Sequence, residues 1–116
     1  DSISAGLPRD RLKAMAAVTE TDGAFVTVSD DEILAAVPAL ARGSGVFAEP
    51  AGAAAHAGLV KAVERDLVDH HDRIVLINTG NGLKDIASVR SAAEATPISV
   101  APSLEEVAHI LNAATG

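Results

Sequence analysis

The sequence has 116 residues, enough for one domain, and 48% of them are apolar, so the chain can bury a sizeable core. A formal net charge of -7 and only two aromatic residues argue against nucleic-acid binding, because phosphates would be repelled and bases would find few stacking surfaces. No apolar run reaches the length of a membrane span, and the absence of cysteine excludes disulfides and thiolate sites and is typical of a cytosolic protein.

The first half of the chain is predicted to contain two helices around a short strand. Residues 8–19 have helical spacing of apolar residues, and residues 24–28 are rich in β-forming residues. Residues 29–32 form a capping box that should start the second helix, which is expected to end near residues 43–45. Pro38 removes a hydrogen bond inside this helix and predicts a kink or an early break.

The second half is predicted to place a strand between two helices. Pro50 should lie in the first turn of a helix that reaches about residue 66. Residues 74–77 are apolar without alternation, which is typical of a strand covered on both faces. The segment TGNGLKD, residues 79–85, follows this strand, and a helix is expected over residues 83–93.

The last part of the chain, residues 96–116, differs in composition from the rest. Residues 96–102 contain two prolines, which favours a linker or edge strand, and the capping box at residues 103–106 predicts a last helix.

The order of the predicted elements, α, β, α, α, β, α, β, α, indicates an α/β protein. We expect a partial three-layer α/β/α arrangement with a small, mostly parallel sheet. Such a small sheet is expected to be part of a larger one.

The segment after the second predicted strand is a candidate ligand site. Thr79 lies at the carboxyl end of the strand, where open α/β sheets bind ligands, and Gly80 and Gly82 allow close backbone approach. An ordinary turn stabilised by Asn81 explains the same residues equally well. The glycine spacing is not that of a dinucleotide or phosphate-loop fingerprint.

Glu49 is the second candidate. It precedes Pro50 at a helix N-cap, a position that usually holds Ser, Thr, Asp or Asn. The positive end of the helix dipole would stabilise its carboxylate, which fits either a charge facing a cleft or a simple electrostatic cap. Of the three lysines in the chain, Lys84 is the one near these candidates.

The histidines and the possible nucleophiles predict no further site. His70 and His71 lie between two aspartates, but neighbouring residues of an extended chain point to opposite sides, and no other ligand has zinc-site spacing. No metal site is therefore predicted. No nucleophile-elbow motif supports a hydrolase.

Three segments, in their order and spacing, resemble the last third of the threonine synthase family: residues 1–9, residues 44–53 and residues 79–85. These are pyridoxal-phosphate enzymes of the tryptophan synthase β-like fold, which convert O-phosphohomoserine to threonine and phosphate. The resemblance implies that residues 1–95 are the C-terminal part of the cofactor-binding large domain and that residues 96–116 are a linker or edge strand and a helix.

The resemblance also implies the roles of individual residues. Thr79 would contact the pyridine nitrogen of the cofactor, Gly80 and Asn81 would shape the pocket wall, and Glu49 would lie near the ring. Residues 2–6 would border the same pocket. The Schiff-base lysine and the phosphate cradle of the family would lie upstream, so the resemblance predicts no catalytic residue in this chain, no activity in isolation, and the remainder of the enzyme as its partner.

Several alternatives remain at this point. The middle segment is shared with threonine and serine dehydratases, and a related lyase such as cysteate synthase is a further candidate. A binding or assembly module that has lost its chemistry is the rival from a different class. The start at Asp1 suggests a processed or truncated chain, and the surface left uncovered in such a piece is expected to favour homo-oligomers.

Overall fold

The computed structural model describes residues 3–93 and 97–115, except for the side chains of residues 114 and 115. This part of the chain contains five α-helices and a single 3-10 turn, at Gly82–Lys84. The α-helices are α1 (Arg11–Glu20), α2 (Asp30–Ser44), α3 (Pro50–Glu64), α4 (Ile86–Ala93) and α5 (Leu104–Thr115). None of the described helices is long and apolar enough to cross a lipid bilayer.

The start and end of α2 follow the local sequence signals. The Ser29 hydroxyl accepts a hydrogen bond from the Glu32 amide at 3.3 Å, and the Glu32 carboxylate accepts one from the Ser29 amide at 2.6 Å. The helix ends at Ser44, and its C-cap residue Gly45 has a φ of 75°, a left-handed conformation that glycine adopts without strain. The predicted early break at Pro38 is wrong, because α2 continues through this residue.

The core is small and lies where α2 packs against α3 and α4. Helix α2 contributes Ile33, Val37 and Leu40, which lie on one face and are buried. Helix α3 contributes mainly small residues, including the fully buried Ala53. Because these side chains are small, the helices approach closely and bring the N-terminal ends of α3 and α4 into one region.

The predicted parallel sheet is not formed within the described residues. Residues 24–28 and 74–77 are neither helical nor paired into strands, and the β-pairing that is present is one antiparallel bridge between Ala48 and Asn81. A strand needs a neighbour for its backbone hydrogen bonds, and neither segment has one here. Val75, in the middle of the second segment, is consequently 87% exposed.

The shape of the chain is elongated. Its radius of gyration is 18.6 Å, whereas a compact domain of this length would have one of about 13 Å.

Two predictions concern residues outside the described part of the chain. The domain boundary predicted between residues 95 and 96 falls within residues 94–96, which are not described. Residue 2, which was predicted to border the pocket, is not described either. Residues 97–103 form neither helix nor strand, and α5 follows them as expected.

Candidate functional site

Two predicted site segments meet through their backbones. The Glu49 amide donates a hydrogen bond to the Gly80 carbonyl at 3.0 Å, and the Gly82 amide donates one to the Phe47 carbonyl at 3.1 Å. These bonds flank the bridge between residues 48 and 81. The structure therefore brings Glu49 beside the TGNGLKD turn, although the two are far apart in the sequence.

The turn is held by its own side chains. The Asn81 Oδ1 atom accepts a hydrogen bond from the Leu83 amide at 2.9 Å, and the Asn78 Oδ1 atom accepts one from the Gly80 amide at 3.3 Å. At the start of α4, Asp85 accepts one from the Ser88 amide at 3.1 Å. Hydrogen bonds from Ser88 lower the pKa of Asp85, because they stabilise its charged form. The side-chain oxygen of Asn81 thus stabilises the turn, as expected if residues 79–85 form an ordinary turn.

Glu49 is a buried carboxylate, not a conventional helix cap. Its residue is 3% exposed, and its side chain makes no capping hydrogen bond to α3. One carboxylate oxygen instead accepts a hydrogen bond from the Lys84 ammonium group at 2.8 Å. The positive end of α3 adds to this stabilisation of the negative charge.

Glycines allow the two segments to come this close. A Cβ atom added at Gly80 would overlap the Glu49 carboxylate, and one added at Gly52 would overlap the side chain of Asn78. A Cβ atom at Gly82 would lie 2.5 Å from the ring of Phe47. Glycine is therefore needed at residues 80 and 82 because a larger side chain would collide with Glu49 or Phe47.

Thr79 is the first residue of the TGNGLKD turn. The residue is exposed, and within the described chain its hydroxyl has no hydrogen-bond partner. Gly80, the next residue, is in contact with Glu49 through its backbone. Thr79 is thus an exposed residue next to the backbone contact between Gly80 and Glu49, and its predicted contact with a cofactor stays a prediction.

A shallow cleft of about 240 Å³ lies next to the ion pair. Pro50 and Asp85 line it, each directly following one partner of the Glu49–Lys84 pair, and Ile3 lines it from the N-terminal segment. Thr79, Gly80 and Asn81 are not among the residues that line this cleft, so the expectation that residues 2–6 border the same pocket as Thr79 stays a prediction. The sequence indicated that Lys84 lies near the candidate residues. It did not indicate that Lys84 pairs with Glu49.

The histidine turn has a different geometry from the one expected. The rings of His70 and His71 lie with their centroids 3.8 Å apart, so the expectation that they point to opposite sides is wrong. Together with Asp69 they place ligand atoms within 4.8 Å of one another, all three residues being exposed. Asp69 also accepts a hydrogen bond from the His71 amide at 2.9 Å, which is a turn contact. The absence of a metal site stays a prediction.

Comparisons with known proteins match most of the chain. Residues 1–80 match the family described as pyridoxal-phosphate dependent enzyme. The threonine synthase of Methanocaldococcus jannaschii is 40% identical over 95% of this chain and 27% of its own length. The threonine synthase of Synechocystis sp. is 43% identical over 92% of this chain and 28% of its own length. That of Mycobacterium tuberculosis is 40% identical over 87% of this chain and 28% of its own length. The chain thus spans little more than a quarter of each of these relatives.

Proposed function

The chain belongs to the family of pyridoxal-phosphate dependent enzymes, and from this premise we propose that it is the C-terminal portion of a threonine synthase. The complete enzyme would convert O-phosphohomoserine and water to L-threonine and phosphate, in the cytosol. The observation that carries the proposal is the identity of 40% with the threonine synthase of Methanocaldococcus jannaschii along 95% of the chain.

The residues at the turn fit the cofactor of the family. A hydroxyl group can donate a hydrogen bond to an unprotonated ring nitrogen, and the Thr79 hydroxyl is exposed and has no partner within the described chain. Gly80 and Asn81 would form the wall beside it, with Glu49 behind Gly80. Pyridoxal phosphate, when bound, supplies the electron sink for reactions of the amino-acid substrate.

The choice of threonine at this position has a chemical consequence. A hydroxyl is neutral, so Thr79 would orient the ring without holding its nitrogen protonated, as an aspartate would. The cofactor would then be a more moderate electron sink. This would suit an enzyme that must direct its substrate along one of several routes open to amino acids on this cofactor.

The remainder of the enzyme would supply the amine that anchors the cofactor. An anchoring lysine is typically desolvated in an apolar pocket or placed next to another cation, whereas each of the three lysines here lies beside a carboxylate. Lys13 pairs with Asp10 at 3.1 Å, Lys61 with Glu32, and Lys84 with Glu49. We therefore propose that the isolated chain is inactive and that its partner is the rest of the polypeptide.

The remainder would also complete the sheet. Residues 24–28 and 74–77 are unpaired here, and strands supplied by the rest of the enzyme would satisfy their backbone groups and cover Val75 and its neighbours. In the isolated chain, the same apolar side chains would favour self-association into homo-oligomers.

The product formed by the complete enzyme tests this proposal. With O-phosphohomoserine we expect threonine and inorganic phosphate in equal amounts, measured by chromatography and a phosphate assay. The same preparation should form little 2-oxo acid from threonine or serine. A dehydratase would give the reverse pattern, and the absence of threonine would reject the proposal.

A further inference from the structure

The Glu49–Lys84 pair is asymmetric in its surroundings. The Glu49 side chain is 4% exposed, whereas that of Lys84 is 60% exposed, and the two are joined by the 2.8 Å contact. Within the described residues, Lys84 is the one hydrogen-bond partner of the Glu49 carboxylate. Removing one partner of a buried ion pair leaves an uncompensated buried charge, which is costly. Lys84 therefore determines where this buried charge lies.

The position of the carboxylate in turn affects the TGNGLKD turn. The Glu49 carboxylate fills the space where a side chain at residue 80 would lie, and the Glu49 amide donates to the Gly80 carbonyl. Gly80 directly follows Thr79. A displacement of Glu49 would thus move the backbone of Gly80, and with it Thr79, the residue proposed to face the cofactor.

We propose that Lys84 is a positioning residue for the cofactor pocket, which through Glu49 fixes the backbone of the turn that carries Thr79. This inference rests on the proposed function. Lys84 itself contacts Glu49, and its role does not require contact with cofactor or substrate. The role depends on a positive charge at this point, so arginine should replace lysine and neutral residues should not.

A second lysine provides a matched control. Lys61 of α3 also pairs with a glutamate on another element, Glu32 of α2, and it also approaches Glu64 at 3.7 Å. Within the described part of the chain, this pair joins two helices and forms no ion pair with the TGNGLKD turn. If Lys84 only stabilised the fold, replacing Lys84 and replacing Lys61 would have similar consequences.

The test uses the complete enzyme with bound cofactor and compares Lys84→Ala, Lys84→Gln, Lys84→Arg and Lys61→Ala. The readouts are the absorbance spectrum of the bound cofactor as a function of pH, kcat and KM, and the thermal midpoint. We expect Lys84→Ala and Lys84→Gln to shift the pH dependence of the spectrum and to lower kcat by roughly tenfold to a hundredfold, as a misplaced group does. Lys84→Arg should retain the spectrum and the kcat of the unsubstituted enzyme. Lys61→Ala should lower the thermal midpoint and leave the spectrum unchanged.

A double substitution tests the route through Glu49. In an enzyme that already carries Glu49→Gln, Lys84→Ala should cause little further change in spectrum or kcat, because coupled residues are not additive. Unchanged spectrum and kcat in Lys84→Ala, or changes no different from those in Lys61→Ala, would overturn the inference while leaving the proposed function intact. Failure of the unsubstituted complete enzyme to bind pyridoxal phosphate would overturn both.

Discussion

The carboxylate of Glu49 occupies the space that a side chain at Gly80 would need. The backbones of the same two residues are joined by a hydrogen bond of 3.0 Å. An acidic residue at the start of α3 is thereby packed against the turn that follows residues 74–77. This contact joins the two parts of the chain that carry the strongest sequence signals, and it makes the identity of residue 80 critical.

The first prediction concerns that packing. Gly80→Ala should destabilise the complete enzyme by about 1–3 kcal/mol, because the added methyl group must displace the buried Glu49 side chain or the turn. Urea unfolding followed by circular dichroism measures the change.

Gly58→Ala is its matched control. Nothing lies within 4 Å of a Cβ atom added at Gly58, which is inside α3. This substitution should therefore stabilise the protein by roughly 0.5–1 kcal/mol, through helix propensity alone. Equal effects of the two substitutions would contradict the close packing at residue 80.

The second prediction concerns Thr79. Thr79→Ala should weaken cofactor binding by roughly twofold to tenfold, which corresponds to one neutral hydrogen bond of about 0.5–1.5 kcal/mol. Thr79→Ser keeps the hydroxyl and should retain the affinity. Fluorescence titration of the complete enzyme with pyridoxal phosphate gives both values. An affinity in Thr79→Ala equal to that of the unsubstituted enzyme would show that the hydroxyl does not face the ring.

The third prediction concerns acid stability. The Lys61 ammonium group and hydrogen bonds from Ser29 lower the pKa of Glu32 from 4.5 to about 2. A carboxylate whose pKa is lower in the folded state adds stability that is fully present above the unfolded pKa and is lost as the pH falls towards the folded value. The free energy of unfolding should therefore decrease between about pH 5 and pH 2 through this residue.

Glu32→Gln tests the origin of that pH dependence. The variant should be less stable than the natural chain at pH 7, and the difference should shrink as the pH falls towards 2. Asp31→Asn removes a neighbouring acid of the first turn of α2 and serves as the control. A difference between Glu32→Gln and the natural chain that stays constant over this pH range would argue against the ion pair with Lys61.

The fourth prediction concerns the isolated chain. After incubation with pyridoxal phosphate and reduction by borohydride, mass spectrometry should find no stoichiometric adduct at Lys13, Lys61 or Lys84, because the anchoring lysine is proposed to lie in the remainder of the enzyme and each of these three lies beside a carboxylate. Reduction of the complete enzyme should label one lysine outside this chain. A single stoichiometric adduct at Lys84 would mean that its pairing with Glu49 has been misinterpreted.

Local signals in the sequence predicted the helices but not all of their starts, since α1 begins at Arg11 and not at residue 8, and α4 begins at Ile86 and not at residue 83. The capping box of Ser29 and Glu32 is present with both of its hydrogen bonds, and α3 starts at Pro50 as expected. These features depend on residues within four positions of one another. The interior proline was also misinterpreted, because the buried face of α2 continues past Pro38, with Ile33 and Val37 before it and Leu40 after it.

Interactions between distant residues could not be predicted in the same way. Residues 24–28 and 74–77 have the composition of strands, but a strand forms only beside a partner, and the described chain contains none for them. The sequence also indicated that Thr79, Gly80 and Asn81 form one turn. It could not show that Lys84 pairs with Glu49, because that contact depends on how α2 brings α3 and α4 together.

The most direct test of the account is the distance between the Thr79 hydroxyl and the pyridine nitrogen in a crystal structure of the complete enzyme with its cofactor. We predict a hydrogen bond of about 2.6–3.2 Å, with Glu49 still buried against Gly80. A separation beyond about 4 Å, or a different side chain on that nitrogen, would contradict it.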